Sequence, residues 1–210
     1  MVQKLVPTNS GKWILGLTGG FGSGKTTAAH LFEELGACVV DADTLGHEVL
    51  MKGGPRYAEV ISLFKETVRP ETGELDRRKI ADIIFHDAVR RKKLEDIIHP
   101  YVFQRLIEEA NETEEKIIIL EVPLLFETGF DRFCDQTIVV QADEPVIHSR
   151  LREKGFSKEE IKARQGAQLS SEEKARKADI IINNSGTLEE TRRKVEKIWK
   201  ELHTVLKGEK

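Results

Sequence analysis

The chain has 210 residues, of which 39% are hydrophobic and 33% are charged. This share of core-forming residues excludes an intrinsically disordered protein, and a chain of this length buries enough surface to fold without disulfides. No apolar run approaches the roughly 20 residues that a membrane-spanning helix needs. The net charge of -3 argues against a general electrostatic affinity for nucleic acid or anionic lipid, so we expect neither as a partner.

The amino-terminal residues and the cysteines bear on the compartment. Residues 1–12 have no apolar segment and no small-residue cleavage site of the kind found in a signal peptide. We therefore expect a cytoplasmic protein in which 1–12 form a flexible extension. Cys38 and Cys134 stand in apolar surroundings without a partner motif, which indicates reduced core thiols.

Short apolar, β-branched runs alternate along the chain with segments of helical periodicity. The runs that predict strands are 13–18, 37–41, 116–121, 136–141 and 179–183. They are continuously apolar, which is typical of strands buried on both faces of a parallel sheet. Strands alternating with helices predict an α/β domain with right-handed crossovers.

Three predicted helices begin with a capping box, in which a Ser or Thr is followed three residues later by Glu. The pairs are Ser157 with Glu160, Ser170 with Glu173, and Thr187 with Glu190.

Two stretches are too long to be simple connections. The stretch 44–115 separates the second and third strands, whereas a crossover needs only about a dozen residues, so it predicts a helical insertion. Its apolar stripes predict helices at 58–64, 77–85, 88–98 and 101–110, with a boundary at His99-Pro100. The stretch 143–177 is charged and helical and is interpreted as a mobile flap.

Residues 19–26, GGFGSGKT, match the phosphate-binding pattern G-x-x-x-x-G-K-[ST] in full. Glycines let consecutive backbone N–H groups point at phosphate oxygens, and the following helix adds its positive end. Lys25 would reach the β- and γ-phosphates, and the Thr26 hydroxyl would hold Mg²⁺. A strand precedes the motif and an amphipathic helix follows it, so the sequence predicts a nucleotide site.

Carboxylates follow two of the other predicted strands, where open α/β sheets place their ligands. Asp41 and Asp43 end the second strand. A carboxylate there could accept the proton of an attacking hydroxyl or support Mg²⁺ through water, while the other aspartate caps the next helix, and we prefer Asp43 for the first role. Glu121 ends the third strand, where P-loop enzymes often keep a metal-supporting acid, although that acid is usually Asp. Glu127 follows closely and could equally be a helix-start acid.

The flap carries Arg150, Arg152 and Arg164, and the insertion carries His99. Arginines on a closing segment can neutralise charge on a transferred phosphoryl group, although charged helices are often only solvated faces. His99 is either a histidine at a helix boundary or a substrate contact.

Together these residues resemble the dephospho-CoA kinase family, which carries out the last step of coenzyme A synthesis. The resemblance covers about 15–206, and an ordered set of motifs carries it: GLTGGFGSGKTT at 16–27, DAD at 41–43, GELDR at 73–77, IIHP at 97–100, VPLLFE at 122–127, the segment 164–168 and ADIIINNSG at 178–186. The P-loop alone is nonspecific, whereas this ordered set is specific.

The resemblance implies a P-loop fold of the nucleoside monophosphate kinase type, with a five-stranded parallel sheet. It implies transfer of the γ-phosphoryl group of ATP to the ribose 3′-hydroxyl of dephospho-CoA. The implied domains are a P-loop core, a helical CoA-substrate lobe and a lid: core 13–43, 116–142 and 178–210; lobe 44–115; lid 143–177. We expect ATP as co-substrate, Mg²⁺, and a monomer or weak homo-oligomer.

Site residues follow from the resemblance position by position. Those implied in catalysis are Asp43, Lys25 and Arg150. Those implied in ATP binding are Gly20, Phe21, Gly22, Ser23, Gly24, Lys25, Thr26, Thr27, Arg164, Asn184 and Gly186, with Thr26 also on the metal. Those implied in dephospho-CoA binding are Asp41, Arg77, His99 and Glu127.

The chain departs from the family at two places. His47 stands where many relatives have Arg, four residues after Asp43. In the lid, Lys154 stands where a second arginine is common, and Arg152 is a nearby substitute. A lysine cannot make the bidentate fork of an arginine, so the identity of the second phosphate clamp stays open.

Two rival functions are compatible with a P-loop. One is another small-molecule kinase of this architecture, acting on a nucleotide or nucleoside. The other is a regulatory protein that hydrolyses a nucleotide to switch partners, but it leaves the further motifs unexplained, and no Asn-Lys-x-Asp guanine motif is present.

Overall fold

The computed structural model describes residues 11–206, so the predicted extension 1–12 lies almost wholly outside the described residues. Its centre is a five-stranded parallel sheet in the order β2-β3-β1-β4-β5. The strands are β1 Trp13–Gly19, β2 Cys38–Asp41, β3 Ile117–Glu121, β4 Gln136–Gln141 and β5 Ile180–Asn183. The predicted fold class and the predicted strands are confirmed, with ends that differ by one residue at most.

The register of the sheet aligns the carboxyl ends of its strands. Leu17 of β1 pairs with Glu121 of β3, and Gly19 pairs with Val140 of β4. Gln141 of β4 pairs with Asn183 of β5. The residues that follow β1, β3, β4 and β5 therefore meet at one edge of the sheet, which is where parallel α/β folds bind ligands.

Two compact units divide the chain, and the first, called here the core unit, contains the described residues 11–40 and 110–206. Its helices are α1 Lys25–Glu34, α6 Glu144–Glu153, α7 Lys158–Gly166, α8 Ser171–Lys177 and α9 Leu188–Leu206. Apolar residues of α1 and α9, among them Phe32 and Val195, pack with the sheet residues Leu15 and Ile138 in the main buried cluster. The three predicted capping boxes are confirmed by reciprocal hydrogen bonds.

The second unit, Asp41–Glu109, is called here the helical unit. Its helices are α2 Ala42–Val49, α3 Tyr57–Leu63, α4 Arg77–His86 and most of α5 Ala88–Glu112. They enclose a separate apolar cluster that includes Val49, Phe64, Ile80 and Leu94. The unit therefore has its own core, as expected for an inserted lobe.

The predicted helix boundary at His99-Pro100 is wrong, because α5 runs unbroken from Ala88 to Glu112 with Pro100 inside it. A proline removes one backbone hydrogen bond and crowds the preceding turn. The helix continues because residues of its apolar face are buried on both sides of the proline: Leu94 before it, and Val102 and Leu106 after it. The free energy gained by burying this face outweighs the cost of the lost hydrogen bond.

Two further expectations concern the membrane and the thiols. Within 11–206, no helix is long and apolar enough to span a bilayer. Cys38 and Cys134 are both free thiols, and burial raises the pKa of Cys134 to about 12. Cys134 is therefore protonated and unreactive at neutral pH, consistent with a core thiol.

Candidate active site

The phosphate loop connects β1 to α1, and two of its glycines have backbone angles that favour glycine. Gly22 has φ 83° and Gly24 has φ 94°. A Cβ on Gly24 would lie 2.0 Å from Nδ2 of Asn184, so any side chain there would displace that amide. The loop is thus shaped both by its own glycines and by the residue that follows β5.

Asn184 ties the phosphate loop to the end of β5. Its side chain is buried and donates from Nδ2 to the carbonyl of Ser23 over 2.8 Å. Its Oδ1 accepts from the hydroxyl of Thr191 over 2.8 Å. The side chain is therefore committed to supporting the loop, a role the sequence did not indicate; the predicted contact of Asn184 and Gly186 with adenine stays a prediction.

Lys25 opens α1 and its ammonium group lies over the phosphate loop. Nζ donates to the carbonyls of Gly19 and Gly20 over 3.0 and 3.2 Å. The loop residues expected to bind nucleotide are brought together here with the first turn of α1, so a positive charge lies on a glycine-rich loop at a helix N-terminus. That combination attracts phosphate.

Thr26 and Glu121 place two oxygen atoms that could act as metal ligands next to each other. The Thr26 hydroxyl donates to Oε1 of Glu121 over 2.9 Å, and Glu121 is only 6% exposed. Oxygen donors of this kind suit Mg²⁺, which proteins often bind through one or two groups together with substrate phosphates. Between residues 11 and 206 there is no cluster of three or more His, Cys, Asp or Glu side chains able to hold a metal alone.

Arg150 of α6 reaches the same loop. Its Nη2 donates to the carbonyl of Asn184 over 2.9 Å, and its Nη1 is 3.7 Å from where a Cβ of Gly24 would be. Nη1 is buried and has no hydrogen-bond partner within the described part of the chain. A buried cationic donor is costly to leave unpaired, so this nitrogen points to an anion at the loop.

The lid contacts the phosphate loop through aromatic packing. The guanidinium carbon of Arg164 is 5.0 Å from the ring centre of Phe21, which belongs to the loop. A cleft of about 630 Å³ opens along this contact. Residues of the loop, the lid and the end of β4 line it, including Gly20, Phe21, Ala142, Ile147, Lys162 and Gln168.

Glu127 is engaged by the lid. Its Oε1 accepts from the backbone N–H of Leu169 over 2.8 Å and pairs with Nζ of Lys174 at 3.0 Å. Lys174 is fully buried and also donates to the carbonyl of Pro123 over 2.6 Å. Burial lowers the pKa of Lys174, and the Glu127 carboxylate opposes that shift. Glu127 thus anchors α8, and its predicted contact with substrate stays a prediction.

The two candidate aspartates have different surroundings. Asp41 ends β2 and caps α2, because its carboxylate accepts from the backbone N–H groups of Asp43 and Thr44 at 3.0 and 3.3 Å. It also accepts from the Thr44 hydroxyl over 2.7 Å. Asp43 is in the first turn of α2 and is exposed. The sequence predicts that one of the two aspartates caps the helix, and in the structure that residue is Asp41.

Arg77 begins α4 and lines a cleft of about 780 Å³ within the helical unit. Three other cationic residues line the same cleft: Lys52, Arg69 and Arg78. Two carboxylates, Glu74 and Asp76, are also present, so cations outnumber anions there. A cleft of this charge suits a phosphorylated ligand.

His99 lies in the middle of α5, stacked on Phe103 with ring centres 5.7 Å apart. Burial lowers its pKa, so the ring is neutral at pH 7. A neutral imidazole can donate one hydrogen bond and accept another, but it supplies no fixed charge. Its predicted substrate contact stays a prediction.

Sequence reasoning missed Lys174 and Phe156. Lys174 stands in a run of charged residues, where nothing distinguishes a buried lysine from a solvated one. Phe156 was detectable in principle, because it is the one aromatic residue in the charged stretch 143–177.

This chain is similar to proteins of known function. The model of the dephospho-CoA kinase family matches residues 13–190. A curated dephospho-CoA kinase of Aquifex aeolicus is 42% identical over 189 residues, which cover 90% of this chain and 96% of that protein. The enzyme of Geobacillus kaustophilus is 40% identical over 191 residues, covering 89% and 95%.

Solved structures agree. The crystal structure of TT1252 from Thermus thermophilus matches with a TM-score of 0.80 and 37% identity, over 91% of this chain and 98% of that one. A dephospho-CoA kinase from Campylobacter jejuni matches with a TM-score of 0.61 and 25% identity, over the same shares. A shikimate kinase from Bacteroides thetaiotaomicron, 20% identical with a TM-score of 0.50, shares the fold.

Proposed function

The chain belongs to the dephospho-CoA kinase family, and from that premise we propose which of its residues perform the reaction. The reaction is the ATP-dependent phosphorylation of the ribose 3′-hydroxyl of dephospho-CoA, which gives CoA and ADP. The bond from the γ-phosphorus to the β,γ-bridging oxygen breaks, a bond from the same phosphorus to O3′ forms, and the hydroxyl proton leaves. Catalysis of this kind depends on positioning and charge stabilisation.

The phosphates of ATP bind the loop 19–26. Backbone N–H groups of the loop contact the phosphate oxygens, and the ammonium of Lys25 exchanges its loop carbonyls for the β- and γ-phosphates. Arg150 supplies its unpartnered Nη1 to the charge that develops on the transferred group. Its second nitrogen stays fixed on Asn184, so little side-chain order is lost on binding.

Thr26 and Glu121 fit a bound Mg²⁺. The hydroxyl proton of Thr26 already points to Glu121, which leaves a lone pair of the Thr26 oxygen available for the metal. Glu121 then orients that ligand from behind, as outer-sphere carboxylates commonly do. Mg²⁺ would neutralise phosphate charge when bound.

Asp43 is the general base in this proposal. Asp43 is exposed in the first turn of α2, and the carboxylate of Asp41 caps that helix. Asp43 accepts the proton of the 3′-hydroxyl as the phosphoryl group transfers. Asp41 contributes by fixing the first turn of α2, which carries Asp43.

The cationic cleft of the helical unit suits the part of dephospho-CoA that does not react, which includes its pyrophosphate. Dephospho-CoA carries a pyrophosphate, and Lys52, Arg69, Arg77 and Arg78 give the cleft an excess of positive charge. We assign the pyrophosphate to this cleft, with His99 as a further contact. We also place the enzyme in the cytoplasm as a monomer or weak homo-oligomer.

The observation that carries the proposal is the unpaired, buried Nη1 of Arg150 beside a complete phosphate loop. The test is ADP release by the purified protein with Mg-ATP, with and without dephospho-CoA, and detection of CoA by mass spectrometry. ADP that depends on dephospho-CoA and matches the CoA formed supports the reaction. Equal ADP release in both conditions, or greater release with a nucleoside acceptor, would contradict it.

A further inference from the structure

Arg164 of the lid lies between two aromatic rings. Its guanidinium carbon is 5.0 Å from the ring centre of Phe21 and 5.0 Å from that of Phe156. The rings pack edge to face, with centres 5.1 Å apart and planes at 82°. A cation over the face of an aromatic ring at this distance is attracted by the ring's quadrupole.

The three residues come from separate segments. Phe21 belongs to the phosphate loop, Phe156 lies between α6 and α7, and Arg164 lies near the end of α7. Both rings also pack against the buried lid residues Ile147 and Leu151. Phe21, Phe156 and Arg164 together are called here the cage. The cage joins the phosphate loop to the lid and sets the position of Arg164 relative to that loop.

The cage restricts the conformational freedom of the Arg164 side chain. Arg164 is exposed, and an exposed arginine loses considerable side-chain freedom when it is fixed in one place. Glu160 on the same helix attracts Arg164 electrostatically, while its carboxylate is bonded to Ser157 in the capping box. The two rings are the contacts that join the guanidinium to the phosphate loop, through Phe21, and to the segment before α7, through Phe156.

We propose that Phe156 is a positioning residue for phosphoryl transfer, which acts by holding Arg164 against the phosphate loop before ATP binds. The proposal rests on the proposed function and on the ATP-binding role that the family resemblance implies for Arg164. Phe156 contributes its ring face rather than any reacting atom. A pre-placed arginine engages phosphate without first paying the ordering cost of a free side chain.

The test compares variants that keep or remove the ring face. Phe156→Leu keeps apolar bulk but removes the face, and it should lower kcat/KM for ATP between about twofold and about thirtyfold. Phe156→Tyr keeps the face and should restore most of the wild-type value. The KM for dephospho-CoA should stay unchanged in both variants. Equal losses in the Leu and Tyr variants would assign the effect to packing and overturn the proposal.

The effect must also pass through Arg164. In an Arg164→Gln background, adding Phe156→Leu should cause no further loss, because the cation that the ring holds is already absent. A full additional loss would show that Phe156 acts by another route. The matched control is Phe133→Leu, because Arg132 sits 5.1 Å from the Phe133 ring centre in a similar contact outside the site. That variant should leave kcat/KM for ATP unchanged.

A second readout separates this proposal from the proposed function. Wild-type turnover with dephospho-CoA tests the function in the same assay. Affinity for a non-hydrolysable ATP analogue, measured by calorimetry on the same variants, tests the cage whatever the acceptor is. A weaker affinity in Phe156→Leu that Phe156→Tyr restores supports the cage, and an unchanged affinity in Phe156→Leu contradicts it.

Discussion

The two regions to which we assign ligands, one in each unit, are built in different ways. In the core unit, the phosphate loop is held by hydrogen bonds from buried groups, including Asn184 to Ser23 and Thr191 to Asn184. In the helical unit, the cationic cleft is lined by exposed side chains such as Arg77 and Arg78. The first region is held by hydrogen bonds between buried groups, whereas the second presents its charge on exposed side chains.

This difference fits the two ligands. A transferred phosphoryl group needs donors within a few tenths of an ångström of their working positions, which suits a loop held by buried hydrogen bonds. A substrate tail far from the reacting atoms needs only attraction and tolerates adaptable contacts. Substitutions in the core unit should therefore affect turnover or folding, and substitutions in the cleft should affect acceptor KM.

The largest effect is expected for Lys25→Ala. Removing a charge placed on the transferred phosphoryl group should lower kcat about a thousandfold or more. The melting temperature should change little, because Lys25 is only half-buried and bonds to loop carbonyls. The control Lys197→Ala removes a lysine from an exposed face of α9 and should leave kcat intact. Turnover of Lys25→Ala close to wild type would refute the assigned role.

Asp43→Asn should lower kcat about a hundredfold or more while ATP affinity stays near the wild-type value. Its amide keeps the shape of the carboxylate but cannot accept the hydroxyl proton. Asp41→Asn is the matched variant: an asparagine still caps a helix, so turnover should change far less. If Asp41→Asn alone lost turnover, the base would be Asp41 and the assignment would be reversed.

Lys174→Met should affect folding more than chemistry. It leaves the Glu127 carboxylate without its buried cation, and breaking a buried pair in this way costs about 3–5 kcal/mol of unfolding free energy. The double variant Lys174→Met with Glu127→Gln should recover part of that loss, since an amide oxygen can still accept from Leu169. Denaturant titration measures the free energy of unfolding of the single and the double variant. A Lys174→Met variant as stable as the wild type would contradict the inferred role of the pair.

Sequence reasoning predicted the sheet and the phosphate loop better than it predicted the helical unit. The strands, the capping boxes and the phosphate loop follow from local rules: continuous apolar runs, a Ser or Thr with Glu three residues on, and a glycine pattern before a helix. The structure confirms the strands and the capping boxes, and it places Lys25 and Thr26 at the carboxyl edge of the sheet.

What the sequence could not predict depends on tertiary contacts. The rule that a proline disfavours helix in the residue before it predicts a helix end at Pro100, but burial of the α5 stripe in the helical unit overrides that rule. The burial of Lys174 is not predictable from the sequence because its partners, Glu127 and Pro123, are distant along the chain. The cage around Arg164 likewise joins residues that no spacing rule connects.

The smallest of these effects is expected for Arg77→Gln, in the cationic cleft. One of four cations is lost and its side chain is exposed, so KM for dephospho-CoA should rise about tenfold, equivalent to about 1.4 kcal/mol, with kcat and the KM for ATP unchanged. Lys79→Gln, on the same helix but not lining the cleft, is the control.

Adenosine, which lacks the pyrophosphate, should be an equally poor acceptor for both variants. The wild-type KM for dephospho-CoA should also rise with salt, because exposed charges are screened. A rise in the KM for ATP in Arg77→Gln would instead place the nucleotide, rather than the acceptor, in this cleft.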